Sequence, residues 1–175
     1  VLLSLLALAV PSPVKSIADE TPPAGAYVST EVSPASLPIG ETASVSVKLN
    51  NVPAEGYKSA EFTCTYDGTL VEKSNIAATD LFGAEPVVAI HDPQPGTFIV
   101  AIAGSNSNRA MTSGTAFTFS AKGLQAGQSA VQCAARVSIG DNVAIDVSSI
   151  GTTLIILQAD AYTATPAERG NPTAV

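Results

Sequence analysis

The sequence is poor in the side chains that most often carry catalysis or stack on flat ligands. It has no tryptophan, one methionine, one histidine and two cysteines, and aromatic residues make up only 5% of the 175 residues. Basic residues are also few, because 8 lysines and arginines stand against 15 acids and leave a net charge of −7. An acidic chain without a basic cluster is repelled by phosphate groups. We therefore expect neither nucleic acid nor an anionic membrane surface as a partner.

The usual catalytic and metal-binding patterns are missing from the sequence. It contains no GxSxG, no HExxH and no phosphate-binding glycine loop. The single histidine, His91, stands beside Asp92 before a Pro-Gly turn, and we expect a turn residue rather than a general base. Two cysteines and one histidine without close spacing make a poor zinc site. Asp141, Asn142 and Asp146 lack the spacing of an EF-hand loop. The sequence predicts a protein that is not an enzyme and that holds no metal or other cofactor of its own.

Composition divides the chain into four segments. Residues 1–18 begin with the apolar run VLLSLLALAV and end in small residues before two acids, and we interpret them as a secretory signal peptide truncated at its start. Two prolines end the apolar run early, which disfavours a retained membrane anchor. Residues 19–26 are interpreted as a leader, residues 27–157 as one folded domain, and residues 158–175, rich in Ala, Thr and Pro, as a linker. The mature chain is expected to be secreted, with no membrane-spanning segment, and either free or attached to a cell surface.

Polar and apolar residues alternate through most of residues 27–157. In TASVSVKLN, residues 42–50, every second side chain is apolar, and the same period recurs in KSAEFTCTY and along residues 131–139. A period of two is typical of half-buried strands. Turn signals such as Asp67-Gly68 separate these runs. About nine such strands predict an all-β antiparallel sandwich, with at most one turn of helix near residues 79–82.

Two features of these strands leave alternatives open. Cys64 and Cys133 fall on the apolar parity of their strands, so we expect both in the core, either as a disulfide, which export would permit, or as two buried thiols. Residues 86–90 and 98–103 are apolar on both parities. An outward apolar row indicates a surface that meets a partner, a strand that is covered by a loop, or isolated exposed Val and Ile residues, which cost little.

Three stretches resemble the cohesin domain family, whose members are receptor modules of cellulosome scaffoldins and of related surface proteins. The stretches are VSPASLPIGETASVSVKLNNVP at residues 32–53, KSAEFTCTYDGTLVE at residues 58–72 and SGTAFTFSAKGLQAGQSAV at residues 113–131. The second is similar to the family's F-x-x-x-Y-D-P-x-x-L-E. It keeps Tyr66 and Asp67 and has Gly68 where the family usually has proline. The resemblance covers about residues 27–157.

This resemblance implies a nine-stranded jelly-roll sandwich with a noncatalytic function. It implies binding, through one sheet face, of a dockerin, a small helical module that carries its own calcium. The family's contact positions lie on the outer face of the strand that ends in Tyr-Asp and on its neighbour. Carried onto this sequence, they give six candidate partner-binding residues: Ser59, Glu61, Thr63, Val100, Ile102 and Ser105. Ser59 and Glu61 replace the commoner Asn-x-Asp, and Ser105 replaces an acid, so the resemblance leaves the identity of the partner open.

Two other functions are compatible with the same sequence. A passive structural or adhesive module of a long surface protein would have the same fold and no partner site. A carbohydrate-binding module would share the jelly-roll, but such modules stack sugar rings on exposed aromatic side chains. This chain has four tyrosines and five phenylalanines, several of them on core parity. We therefore rank carbohydrate binding last.

Overall fold

The computed structural model describes residues 23–158, and the predicted signal peptide and nearly all of the predicted linker lie outside them. Its strands are β1 (Tyr27–Ser33), β2 (Ser36–Pro38), β3 (Thr42–Asn50), β4 (Ser59–Thr65), β5 (Val71–Ala78), β6 (Val87–Gln94), β7 (Thr97–Ala103), β8 (Gly114–Gly123), β9 (Gly127–Ser138), β10 (Ile145–Ile150) and β11 (Thr152–Leu157). Short 3₁₀ turns occupy Asp80–Phe82 and Ser105–Ser107. The first of these confirms the helical turn predicted near residues 79–82. Among residues 23–158 no helix is long and apolar enough to cross a membrane.

The strands form a jelly-roll β-sandwich, which confirms the predicted fold class. Sheet I has the strand order β5, β8, β3, β1, and sheet II has the order β6, β7, β4, β9. Strand β10 joins the two sheets, because it pairs antiparallel with β9 and parallel with β1. Strand β11 pairs with the other half of β9 and carries the short β2. The structure thus has two strands more than the sequence predicts, and both of its parallel contacts involve the short or terminal strands.

The core lies between the two sheets, and the predicted alternation accounts for most of it. The inward residues of β3 and β4 are buried at every second position, namely Ala43, Val45, Val47, Leu49, Ala60, Phe62 and Cys64. All five phenylalanines are buried, and four of them form one cluster. Phe62 meets Phe117 edge-on at 5.2 Å between ring centroids, and Phe98 meets Phe119 at 5.0 Å. Edge-to-face pairs of this kind stabilise a core beyond their buried area.

The two cysteines lie directly opposite each other on β4 and β9, and both are fully buried. The structure joins Cys64 and Cys133 in a disulfide. At this point β9 changes neighbour, since it pairs with β11 before Cys133 and with β10 after it. The backbone N–H of Cys133 donates instead to Oγ1 of Thr30 on β1, at 3.1 Å. Thr30 is only 3% exposed, so its hydroxyl satisfies a buried donor at the gap between two strands.

Strand β7 corrects one prediction about side-chain direction. Val100 and Ile102, which were considered as outward contacts, are 0% and 1% exposed and belong to the core. Phe98 shares their parity, and a one-residue change of register would bring all three side chains to the surface. Burial of the phenyl ring therefore decides the direction of the strand. The outward residues of β7 are Ile99, Ala101 and Ala103.

Strand β6 is the edge of sheet II, and all of its residues are exposed. Val88 and Ile90 pair with core-facing residues of β7 but remain 39% and 49% exposed, and Val87 on the other face is 64% exposed. The apolar pattern of residues 86–90 therefore belongs to an edge whose two faces are both accessible. No loop among residues 23–158 covers this strand, so a surface that meets a partner and isolated exposed Val and Ile remain as explanations of the pattern.

Candidate protein-binding surface

Cross-strand pairing arranges the outward side chains of sheet II in rows that cross β9, β4, β7 and β6. Residues directly opposite each other in a ladder point to the same face, so the pairings define each row. The first row contains Ser138, Ser59, Ala103 and Val87. The second contains Arg136, Glu61, Ala101 and Ala89, and the third contains Ala134, Thr63, Ile99 and His91. We call these three rows the outer face.

The first two rows surround a hollow of about 300 Å³ in the outer face. Its lining includes Ala101, Ala103, Ser59 and Ser138, whose side chains are too short to rise above the backbone. Val87 from β6 and the charged side chains of the second row also line it, as does Ala144 from the connection between β9 and β10. A small apolar hollow with polar groups at its border is the form of a protein-binding pocket, since the apolar part excludes water and the border orients the ligand.

The second row carries the charges of this surface. Arg136 lies opposite Glu61 on one side and opposite Asp146 of β10 on the other. Its Nε atom is 3.5 Å from Oδ1 of Asp146, so the guanidinium pairs with that carboxylate. Glu61 is exposed, and none of the ion pairs among residues 23–158 includes it. Glu61, Arg136 and the adjacent Asp146 of β10 are two acids and one base, so this group of charges beside the hollow is net negative.

The outer surface of sheet I is different in character. Strand β3 presents Thr42, Ser44, Ser46 and Lys48 there, and Lys48 forms an ion pair with Glu31 at 2.6 Å. The outward residues of β8 that pair with them are also polar, namely Thr118, Ser120 and Lys122. Sheet I thus presents hydroxyls and charged side chains to solvent, whereas sheet II presents alanines and Val87 beside its charges. This asymmetry identifies the outer face of sheet II as the candidate binding surface.

The structure brings together three of the six predicted partner-binding residues. Ser59, Glu61 and Thr63 all lie on the outer face, in its first, second and third rows. Ser105 lies beyond the first row, in the 3₁₀ turn after β7, and its hydroxyl donates to the carbonyl of Ala84 at 3.3 Å. The side chains of Val100 and Ile102 are buried in the core, although Ile102 is among the residues that line the hollow. Whether the three outward residues contact a partner stays a prediction.

Several residues of the hollow were not predicted. Ala101, Ala103 and Ala144 carry no motif, and Arg136 enters only through the register of β9 against β4. One signal in the sequence could have found the first two: Phe98 belongs in a core, and every second residue after Ile99 must then face outward.

The remaining polar residues singled out in the sequence have local structural roles. His91 lies within β6, next to an irregularity in the pairing, and not in the turn that was expected. Asp141 accepts a hydrogen bond from the backbone N–H of Val143 at 3.1 Å, which fits the predicted turn. Asp146, in contrast, pairs with Arg136. Asp141 and Asp146 therefore bind different groups of the protein and do not share a ligand.

The Tyr66-Asp67 motif lies at the opposite end of β4 from the hollow. Burial raises the pKa of the Tyr66 phenol, and the carboxylates of Asp92 and Glu72 raise it further. Oδ1 of Asp67 accepts hydrogen bonds from the hydroxyl of Thr69 at 2.6 Å and from its backbone N–H at 2.9 Å. These bonds lower the pKa of the Asp67 carboxyl, the hydroxyl having the larger effect. The motif therefore builds the turn between β4 and β5 and does not contribute to the hollow.

Comparison with known proteins places this geometry in a family. A family model described as the cohesin domain matches residues 28–155. A cohesin module from a family 33 glycoside hydrolase of Clostridium perfringens is 14% identical, covers 77% of this chain and 98% of its own, and superposes with a TM-score of 0.68. The sixth cohesin of Acetivibrio cellulolyticus scaffoldin B, solved in complex with a Cel5 dockerin, is 16% identical over 76% of this chain and 99% of its own, with a TM-score of 0.65.

A third similar structure is a non-cellulosomal cohesin from the archaeon Archaeoglobus fulgidus, which is 19% identical over 77% of this chain and 92% of its own, with a TM-score of 0.62. The comparison with curated protein sequences found no match. At these identities the solved structures establish the fold, and the family model, which matches most of the chain, establishes the family. The chain belongs to the cohesin domain family.

Proposed function

We propose that this domain is a noncatalytic interaction module of an exported protein, and that it binds a dockerin through the outer face of sheet II. The observation that carries the proposal is the hollow of about 300 Å³, which is lined by alanines and serines and bordered by charge. Membership of the cohesin family supports the kind of partner, and one structural relative was solved with a dockerin bound. The predicted signal peptide supports export.

The dimensions of the outer face suit a helix, which is the form of a dockerin's contact surface. Neighbouring strands lie about 4.8 Å apart, so the axes of four strands span about 14 Å. A helix with its side chains is about 10–12 Å across. It can therefore lie over the short side chains of Ala101 and Ser59 between Val87 at one border and Arg136 at the other. An amphipathic helix would bury its apolar stripe in the hollow and leave its polar flanks to the charged row.

The carbohydrate-binding alternative has less support. All five phenylalanines are buried in the core. The three rows of the outer face contain no tyrosine, phenylalanine or tryptophan. Sugar rings would find no aromatic platform on this surface, whereas an apolar helix needs none.

The test compares the full chain with two arginine variants. Ala101→Arg places a long charged side chain in the hollow, and Ser44→Arg places the same side chain on the exposed surface of sheet I. Each protein is titrated calorimetrically with single dockerin modules from the source organism, in calcium. We expect at least one dockerin module to bind the wild type and Ser44→Arg with equal affinity. The same module should not bind Ala101→Arg. Thermal melting of all three proteins controls for folding.

Two results would contradict the proposal. Binding by no dockerin would remove the proposed partner, and retention on polysaccharide in the same preparation would favour the carbohydrate alternative. Equal binding of a dockerin to both variants would place the contact elsewhere on the domain.

A further inference from the structure

Glu61 is the charged residue that the outer face leaves without a partner. It lies directly opposite Arg136, but the guanidinium pairs with Asp146 on the far side, and no ion pair among residues 23–158 involves Glu61. Its other neighbour in the row is Ala101, whose methyl group offers the carboxylate no hydrogen bond. Glu61 therefore stands exposed at the border of the hollow, with an apolar surface on one side and, on the other, a base that pairs with Asp146.

A partner that covers the hollow must remove water from around this carboxylate. A desolvated carboxylate is costly unless it gains a hydrogen-bonded partner of opposite charge, and a neutral hydroxyl would leave the charge uncompensated. The surroundings favour a cation as well. Glu61, Arg136 and Asp146 together are net negative, and the whole chain has a charge of −7, so a basic surface is attracted before contact and an acidic one is repelled.

We propose that the helix which docks on the outer face carries a lysine or arginine that pairs with Glu61 and, one turn away, a small apolar side chain that enters the hollow. This inference deepens the proposed function and rests on it for the helical form of the partner. Opposed side chains on neighbouring strands are about 4.5–5.5 Å apart at Cβ, and Glu61 and Ala101 are such an opposed pair beside the hollow. Side chains three or four positions apart on a helix are separated by about 5–6 Å. The two spacings match, so the partner's sequence pattern is a basic residue and a small apolar residue at i and i+3 or i+4.

The experiment uses a probe that does not depend on any dockerin. A display library of a helical-bundle scaffold, with the exposed positions of one helix randomised, is selected on the full wild-type chain and counter-selected on the Ala101→Arg variant. The surviving binders are then titrated against wild type, Glu61→Gln and the control Glu41→Gln. The control removes an exposed acid next to β3 of sheet I, so it changes the net charge by the same amount away from the hollow.

We expect the survivors to share a lysine or arginine three or four positions from a small apolar residue. Glu61→Gln should weaken them about tenfold, and Glu41→Gln should leave them within about twofold of wild type. Changing the shared basic residue to glutamine should remove the effect of Glu61→Gln, and the wild-type affinity should fall more steeply with added NaCl than that of Glu61→Gln. A dockerin that binds the wild type should show the same tenfold loss with Glu61→Gln.

The inference would be overturned by binders that fail to bind Ala101→Arg but have no lysine or arginine in the helix. It would also be overturned by binders whose affinity is the same for Glu61→Gln as for the wild type. A library that yields no binder dependent on Ala101 would overturn it too, because the hollow then accepts no helix. Failure of the proposed function is a separate result. It appears as the absence of dockerin binding to the wild type, whatever the library yields.

Discussion

Replacing Thr30 by valine should destabilise the domain by about 2 kcal/mol, although the two side chains have nearly the same volume. Oγ1 of Thr30 accepts the backbone N–H of Cys133 at 3.1 Å, at the place where β9 passes from β11 to β10. Thr30 is 3% exposed and Cys133 is fully buried, so water does not replace the lost acceptor. An orphaned buried donor costs about 1–3 kcal/mol, and the conserved shape leaves no cavity to add to it.

The measurement is urea unfolding of the oxidised full chain at neutral pH. With a slope of about 1.5 kcal/mol per molar urea, a loss of 2 kcal/mol lowers the midpoint by about 1.3 M. Amide hydrogen exchange provides a local readout, because the Cys133 N–H should exchange faster in Thr30→Val. Thr30→Ser is the matched control, since it keeps the hydroxyl and removes a methyl group. It should cost about 1 kcal/mol and leave the protection of the Cys133 amide in place.

Equal stability of Thr30→Val and wild type, within about 0.5 kcal/mol, would refute the reasoning if the protection of the Cys133 amide were also unchanged. That result would mean that the N–H has another acceptor and that the junction between β10 and β11 does not depend on the hydroxyl.

Two further predictions concern the direction of β7 and the turn after β4. Ile102→Asp should abolish cooperative unfolding, because it buries an unpaired charge in the core. Ile99→Asp, on the outward side of the same strand, should remain folded by circular dichroism. Equal loss of folded structure in both variants would contradict the assigned side-chain directions. Asp67→Asn should lower the melting temperature at neutral pH. The folded carboxyl has a lowered pKa, so its stabilisation is present above the ordinary aspartate pKa and disappears as the pH falls through the lowered value. The gap between variant and wild type should therefore close in acid, and a gap independent of pH would exclude the charge of Asp67 as its cause.

The sandwich and much of its core could be predicted because every second side chain is apolar along the strands that form the core. In β3 and β4 a clean alternation leaves one choice of face, and the residues from Ala43 to Leu49 and from Ala60 to Cys64 are buried as predicted. Strand β7 has no such alternation. The face that β7 turns toward the core is decided by whether Phe98 or Ile99 is buried. The larger Phe98 side chain is buried because of how it packs, and no polar–apolar alternation indicates it.

The candidate site was harder to predict because it depends on the register in which neighbouring strands pair. Glu61 meets Ala101 and Arg136 only through pairings between strands that are distant in the sequence. The hollow exists because alanines and serines from neighbouring strands fall side by side, and no local pattern marks an alanine as the floor of a pocket. The role of Thr30 is hidden for the same reason. A threonine in a strand is ordinary, and only the tertiary structure shows that its hydroxyl replaces a missing ladder bond.

The disulfide also has a consequence for the covalent connectivity of the domain. Cys64 and Cys133 are 69 positions apart, so the bridge closes a ring that contains the whole of β5, β6, β7 and β8. A protease that cuts the exposed segment before β6, around Glu85, would open this ring without releasing a fragment, because each new end stays attached through one cysteine. The four strands of the outer face would remain tethered to one another after such a cut. The cut domain is therefore expected to migrate as one species in electrophoresis while it is oxidised and as two after reduction, and to keep its candidate binding surface intact until it is reduced.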